Sequence, residues 1–396
     1  MRICLIYDCL YPHTVGGAER WYRNLAERLT GEGHEVTYLT LRQWNRGADP
    51  GVAGVEVVAV GPRLGLYGPG GGRRILPPLV FGAGVLWHLL RHGQAFDVVH
   101  TASFPYFSLL AAAAARRTSG YSIVADWHEV WSASYWREYL GRRGRVGELV
   151  QRMCARVDQR AFCFSQLHAD RLSALGYRGR PTVLRGEWAG SLDRPTPAPA
   201  RPVALFAGRL IAEKRAPALV AAVVRAAESR PGLRGVIYGD GPDRGAVLTE
   251  IEARGATGLV EAPGFVDGDE LYEALRSALC LVLPSRREGY GLIVVEAASL
   301  GVPSVVVAGP DNAAVELIEE GVNGFVAPSA EPAVLADLII AVAEAGPALR
   351  RSTADWFASH AHELSLGASL TQVLASYGDS ERGDRPRRSH PRWLPR

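Results

Sequence analysis

The sequence predicts an α/β protein built as two Rossmann-like doubly wound domains that face each other across a cleft. Three observations predict it. Short apolar runs of strand length alternate with helical stretches from the first residue, the pattern of a parallel sheet covered by helices. The alternation stops over 191–202, where four prolines fall in twelve residues, and then resumes. At 396 residues and 47% hydrophobic content the chain has material for more than one core.

In the first half the apolar runs are 3–8, 36–41, 55–60, 98–102, 123–126 and 162–165, with helices between them such as 18–29 and 108–117. Strands buried on both faces need no polar alternation, so they read as continuous apolar segments. The second half repeats the pattern at 203–208, 236–238, 259–262, 280–283 and 304–308. Helical segments at 332–344 and 353–377 follow. The expected organisation is an N-terminal domain over 1–190, a linker over 191–202 and a C-terminal domain over 203–354. A tail over 378–396, rich in arginine and proline without periodicity, is expected to be disordered.

Composition excludes several classes. A net charge of +3 and the lack of an aromatic-plus-basic motif argue against a nucleic-acid partner. Cys4, Cys9, Cys154, Cys163 and Cys280 are odd in number and show no C-x-x-C spacing, so core thiols in a reducing cytoplasm are expected. The first strand starts at once, with no signal peptide before it. The most apolar stretch, 75–90, is interrupted by Pro77 and Pro78 and falls short of the roughly 18 residues of a membrane span. The arginines of the tail offer a peripheral membrane contact, but no apolar face accompanies them, so such contact is not indicated.

The chemistry concentrates in a few strand-to-helix turns. After the apolar run 280–283 comes Pro284, Ser285, Arg286, Arg287, Glu288, Gly289, Tyr290, Gly291, Leu292 and, on the coming helix, Glu296. The two glycines let backbone approach a ligand, and the first helical amides face outward as anion donors. Glu288 and Glu296 can then line one crevice at the strand's carboxyl end, which suits a ligand rich in hydroxyls and phosphates. Arg209 and Lys214 end the first strand of the second half, and Lys214 is the sole lysine among 44 basic residues. Two cations there suit a diphosphate, one as a fork and one as a compact charge. Gly16 and Gly17 open the first helix and offer bare amides. Asp126, His128 and Glu129 end a strand of the first half on the same side.

Glu288, seven residues and Glu296, after strand-Pro-Ser and before an alanine-rich helix, resemble the donor-site signature of glycosyltransferase family 4. Those are retaining group 1 transferases of GT-B fold, related to glycogen synthases and mannosyltransferases. The resemblance implies that Glu288, with Gly289, Tyr290, Gly291 and Leu292, positions the transferred sugar and that Glu296 holds the ribose. It implies that Arg209 and Lys214 neutralise the leaving diphosphate, and that Gly16 and Gly17 approach the diphosphate and the acceptor. His128 would stand near the reacting sugar carbon, with Asp126 and Glu129 on the acceptor side. Gly239 and Gly241 would lie near the base, which Phe265 and Val266 would hold. The last helix, about 355–377, would cross back onto the first domain. The donor would be a nucleoside diphosphate sugar, UDP ahead of GDP, with no cofactor and no metal required. The acceptor would be a hydroxylated small molecule or cell-envelope component.

Two departures stand out. The family has glycine after the lysine where this chain has Arg215, and an Asn-Gly turn where it has Arg185, Gly186, Glu187 and Trp188. Alternatives also stand. Gly239, Gly241 and Gly245 superficially spell a dinucleotide fingerprint, which would make the protein an NAD-dependent dehydrogenase. A non-catalytic nucleotide-sugar binder would carry the same pockets. Asp267 and Asp269 spell D-x-D, but their place before a helix is explained by capping. Arg137, Arg142, Arg143, Arg145, Arg152 and Arg156 make the region after His128 basic, which an ordinary solvated helix face would explain.

Overall fold

A computed structural model describes residues 1–14, 16–45, 47–66, 68 and 74–383, from 379 onward as backbone alone. The first sheet contains β1 (Arg2–Ile6), β2 (Glu35–Leu41), β3 (Val55–Gly61), β4 (Val98–Ala102), β5 (Ser122–Trp127), β6 (Arg160–Cys163) and β7 (Thr182–Val183). Their order is β3-β2-β1-β4-β5-β6-β7, and every pairing is parallel. The helices between are α1 (Gly17–Gly31), α2 (Leu76–His92), α3 (Phe107–Ser119), α4 (Ala133–Leu140), α5 (Gly144–Ala155) and α6 (Gln166–Ala174). Right-handed crossovers therefore put α1 on one face of the sheet and α2 to α6 on the other. The side-chain alternation of β1 serves both faces: Ile3 and Leu5 enter the core under α1, Cys4 and Ile6 the core under α2 to α6.

The second half repeats the scheme with β8 (Val203–Ala207), β9 (Arg234–Tyr238), β10 (Val260–Gly264), β11 (Cys280–Leu283), β12 (Arg287–Glu288), β13 (Ser304–Val307), β14 (Asp311–Asn312) and β15 (Gly324–Ala327). The main sheet runs β10-β9-β8-β11-β13-β15, while β12 and β14 pair beside it. Its helices are α7 (Pro217–Ser229), α8 (Arg244–Ala253), α9 (Gly268–Ser277), α10 (Leu292–Ala298) and α11 (Pro332–His360), and α12 (Leu366–Gly383) follows. In both sheets the strand order reverses at one point, between β1 and β4 and between β8 and β11. Open parallel sheets leave a crevice at the carboxyl ends of such strands, where ligands bind.

The C-terminal helices differ from the boundaries expected above. Gly346, at φ 56°, breaks α11 without ending it, and the true interruption falls at 361–365. There Trp188 N donates to the Leu364 carbonyl at 3.0 Å and Leu366 N to the Trp188 carbonyl at 2.8 Å, pinning a turn that ends at Ser365, which caps α12 by accepting from Ala368 N. Residues 378–383 continue α12, since the first helix-breaking residue after them is Pro386. The rest of the expected tail, 384–396, lies outside the described residues. By length and composition α11 could cross a membrane, but Leu335, Ala336, Ile339 and Val342 are buried in the second domain's core.

Helix α12 packs on α1, and its anchor is polar. The Tyr377 hydroxyl lies 2.5 Å from His100 Nδ1, His100 Nε2 lies 2.9 Å from Asp126 Oδ1, and Trp21 Nε1 donates to Asp126 Oδ2 at 2.7 Å. Burial alone would raise the Asp126 carboxyl, but His100 beside it holds it below its ordinary value.

Candidate active site

Strand β11 is buried along its whole length, so the chain emerging from it is fixed in place before the loop begins. Gly291 opens α10 at φ 101°, and a Cβ there would come within 2.6 Å of Ala314, so that residue must be glycine. Just before it Glu288, 9% exposed at its side chain, takes the Lys214 ammonium on both oxygens, at 2.5 and 2.6 Å. The two meet because β8 and β11 are neighbours in the sheet. Glu296 is partly exposed one turn into α10. Burial pushes its carboxyl upward and Arg20, from the start of α1, pulls it back.

Lys214 ends a short 3-10 turn, and Arg215 after it adopts the left-handed conformation at φ 51°. The backbone thus keeps the shape a glycine would give, at a cost of about 1 kcal/mol for a residue with a side chain. Relief of that strain exceeds the added freedom of the unfolded chain, so Arg215→Gly is expected to raise the unfolding free energy by up to about 1 kcal/mol, read from urea denaturation. An unchanged or lower midpoint would show that the left-handed turn stores no net strain.

Arg209 is exposed at the end of β8. The turn behind it explains two other glycines: a Cβ on Gly239 would meet the Gly208 carbonyl oxygen at 1.9 Å and one on Gly241 the Leu210 carbonyl oxygen at 2.2 Å. Leu210 N donates to the Asp240 carbonyl at 2.9 Å. These glycines therefore let the turn brace the Arg209 loop, and their open side is already taken by protein backbone. Close packing of the turn on the Arg209 loop thus accounts for both glycines without a bound dinucleotide. Phe265, at the end of β10, is 80% exposed, with Val266 half-buried beside it. Asp267 accepts from Glu270 N at 2.9 Å and caps α9.

From the first half, Gly16 precedes α1 and a Cβ on it would strike the Glu19 carboxylate, while Gly17 is exposed. His128 stacks on Phe164 with ring centroids 4.2 Å apart. Burial, with His100 adding to it against the pull of Asp126, brings the His128 imidazole down to about 4, so it is neutral at physiological pH, and its Nε2 has no hydrogen-bond partner among the described residues. A Cβ on Gly289 would come within 3.0 Å of the His128 carbonyl oxygen and 2.9 Å of Glu129 Cγ. The donor-side loop and the His128 loop are thus in contact. Tyr290 turns its hydroxyl away, onto the Arg185 carbonyl at 2.5 Å.

Several residues of this region were not singled out from the sequence for the roles they take. Glu129 pairs with Arg287, whose guanidinium lies 4.1 Å from the centroid of Tyr135 and 4.8 Å from that of Trp131. Arg286 forks onto Glu138 at 2.9 and 2.7 Å, Tyr135 donates to Glu213 at 3.1 Å, and Arg171 reaches Asp311 at 2.7 Å. Glu316 receives the amides of Gln166 and Leu167, at 2.8 Å each, at the start of α6. This polar seam ties the two halves around the cleft. Glu187 differs from all of these. Its carboxylate reaches to 4.0 Å from where a Gly17 Cβ would sit and has no hydrogen-bond or ion-pair partner among the described residues, while its backbone N–H is directed to the Tyr290 hydroxyl. Burial, with Asp126 adding to it, pushes this carboxyl up to about 7. Its only advance signal was the departure from Asn-Gly at that turn.

The two halves match two family models: residues 15–185 that of Glycosyltransferase Family 4, and residues 193–354 that of Glycosyl transferases group 1. Among curated relatives, the alpha-D-kanosaminyltransferase of Streptomyces kanamyceticus is 31% identical over 255 residues, 64% of this chain and 63% of that protein. The D-inositol 3-phosphate glycosyltransferase of Actinosynnema mirum is 30% identical over 205 residues, 50% and 48% of the two chains. The chain thus spans less than two thirds of either. The glycogen synthase of Mycobacterium tuberculosis is 26% identical over 370 residues, 86% of this chain and 85% of that one. Two solved structures share the fold: the sucrose-phosphate synthase of Thermosynechococcus elongatus, with TM-score 0.76 at 18% identity over 97% of this chain and 100% of that one, and Anabaena HepE in complex with UDP, with TM-score 0.71 at 19% identity over 96% and 100%.

Proposed function

The chain belongs to the group 1 glycosyltransferases of GT-B fold, and from that premise we propose that it is a retaining enzyme. It would move a hexose from a nucleoside diphosphate sugar, UDP ahead of GDP, to a hydroxyl of a small-molecule or cell-envelope acceptor. The observation that carries this reading is the clasp between Lys214 and Glu288 at the strand-order reversal of the second sheet. An ammonium held there by one carboxylate can pass to a diphosphate, which releases the carboxylate to the hydroxyls of the sugar.

On this reading Arg209, Lys214 and the first amides of α10 take the diphosphate, Glu296 the ribose, and Phe265 with Val266 the base. Glu288, with the backbone of Gly289 to Leu292, orients the sugar beneath His128. As the bond from the anomeric carbon to the phosphate oxygen breaks, charge grows on the diphosphate, and preorganised cations and amides stabilise it more than the ground state. The acceptor oxygen bonds to the same face of that carbon, and its proton passes to the departing phosphate oxygen, so no strong protein base is needed. The neutral His128 imidazole is suited to a hydrogen bond with the sugar and carries no charge that would oppose the positive character of that carbon.

Calorimetric titration with UDP and GDP, with and without magnesium, tests the site. Saturable, metal-independent binding of one nucleotide is expected, weakened about tenfold in Lys214→Ala, the equivalent of ~1.4 kcal/mol. Binding of NADH with neither nucleotide bound would overturn the reading.

A further inference from the structure

We propose that the outer face of α5, together with that of α2, docks on an anionic lipid bilayer. On α5 the side chains of Val146, Leu149 and Met153 are 62%, 58% and 50% exposed, large values for apolar residues brought together on one helix. Arg145, Leu149, Arg152 and Arg156 follow one another at three- and four-residue spacing and so share one side. Val146 and Met153, seven apart, lie beside them. All three arginines are exposed, and among the described residues only Arg152 has an acidic partner, Glu148 on the same helix at 2.8 Å. The opposite side of α5, with Gly144, Gln151, Cys154 and Ala155, is buried. An apolar strip edged by arginines that can snorkel is the composition of a helix lying in a membrane interface.

Helix α2 lies in the same layer over the sheet and carries a second strip. Leu76, Leu79, Trp87 and Leu90 are 62%, 44%, 58% and 55% exposed, at spacings of three, eight and three residues that keep them on one side. Arg91 sits 3.8 Å over the Trp87 ring, a cation and an amphipathic ring together as at a lipid headgroup boundary. Prolines at 77 and 78 occupy the first turn, where they start a helix without breaking it.

Charge decides the occupant. In a symmetric pairing of two copies through α5 the same patch meets itself, which would bring the arginines of one copy against those of the other. An anionic bilayer offers them the opposite sign, at about fivefold in affinity per basic residue near the surface. The face is also tied to the cleft: α5 packs on α4, whose Tyr135 and Glu138 make the seam contacts to Glu213 and Arg286.

The test is sedimentation of the full chain with vesicles, half phosphatidylglycerol in one set and phosphatidylcholine alone in the other. Partitioning onto the anionic set is expected to exceed the neutral set by about tenfold or more and to fall with salt. Leu149→Asp with Met153→Asp should abolish that preference while leaving the thermal midpoint and UDP titration as in wild type, and Arg145→Ala with Arg156→Ala should reduce it. Equal partitioning onto both sets, or undiminished binding by the aspartate variant, overturns the proposal. So does a concentration-dependent dimer that the aspartate variant dissociates, which would give the face to a second copy. The inference goes beyond the transferase reading. Vesicle binding reports on the helical face and nucleotide titration on the cleft, so either can fail without the other.

Discussion

Glu288→Gln is expected to bind UDP more tightly than the wild type, by roughly three- to tenfold, while sugar transfer or hydrolysis of the UDP-sugar falls about 10²- to 10³-fold. The two signs follow from one contact. In the free protein the Lys214 ammonium is clasped by both Glu288 oxygens, so an incoming diphosphate must displace a carboxylate from its cation. Glutamine keeps the shape but not the charge, leaves Lys214 less neutralised, and removes a negative charge from beside the phosphates. Turnover moves the other way because the carboxylate is the group that would accept hydrogen bonds from the sugar hydroxyls, and losing one such positioning contact costs ~3 kcal/mol. Calorimetry with UDP and release of UDP from a panel of UDP-hexoses measure the pair of effects. Weaker UDP binding in the variant would remove the competition between carboxylate and diphosphate from the account.

Glu187→Gln is expected to stabilise the protein, and to do so more at pH 8 than at pH 5. Burial pushes the Glu187 carboxyl up to about 7 from its ordinary value of 4.5. Between those values the folded state keeps a proton that the unfolded chain has released, so the wild type loses stability as pH rises through this window and stays at the lower level above it. Glutamine removes the titration. Because the side chain is partly exposed, solvent screening reduces the full linkage value, and the extra gain at pH 8 over pH 5 is about 2 kcal/mol. Urea unfolding at both pH values reads it directly. An equal gain at both would mean that the carboxylate is solvated well enough to keep its ordinary value.

The two sheets were legible in the sequence because their central strands are buried on both faces. Segments such as Cys280–Leu283 and Ser304–Val307 are apolar or small throughout, and the proline-rich gap at 191–202 separates one series from the next. Strands of two residues, Thr182–Val183 or Arg287–Glu288, carry too little pattern to be seen and exist because a neighbour pairs with them. The loops that bear Arg209, Lys214, Glu288 and His128 were visible as strand ends. What the chain order does not contain is the pairing of Lys214 with Glu288, or of Arg286 with Glu138, since each depends on which strands become neighbours and how closely the two halves approach. Arg215 shows the same limit from another side. Its departure from glycine could be read, whereas its left-handed backbone belongs to the turn. Arginines after His128 were also visible as a basic run, but the exposure of Val146, Leu149 and Met153 among them depends on which side of α5 the sheet claims.

The helix that closes the first domain lies beyond the whole second half in the chain. Tyr377 reaches His100, and through it Asp126 and Trp21, so the core beneath the His128 loop is completed by residues that leave the ribosome after the whole second half. During synthesis the N-terminal unit therefore waits with the α1 side of its sheet incompletely covered while the C-terminal unit forms, until α12 emerges to complete it. A chain lacking α12 holds every residue assigned to the donor yet leaves His100 without the Tyr377 hydroxyl and that face of the first domain partly open.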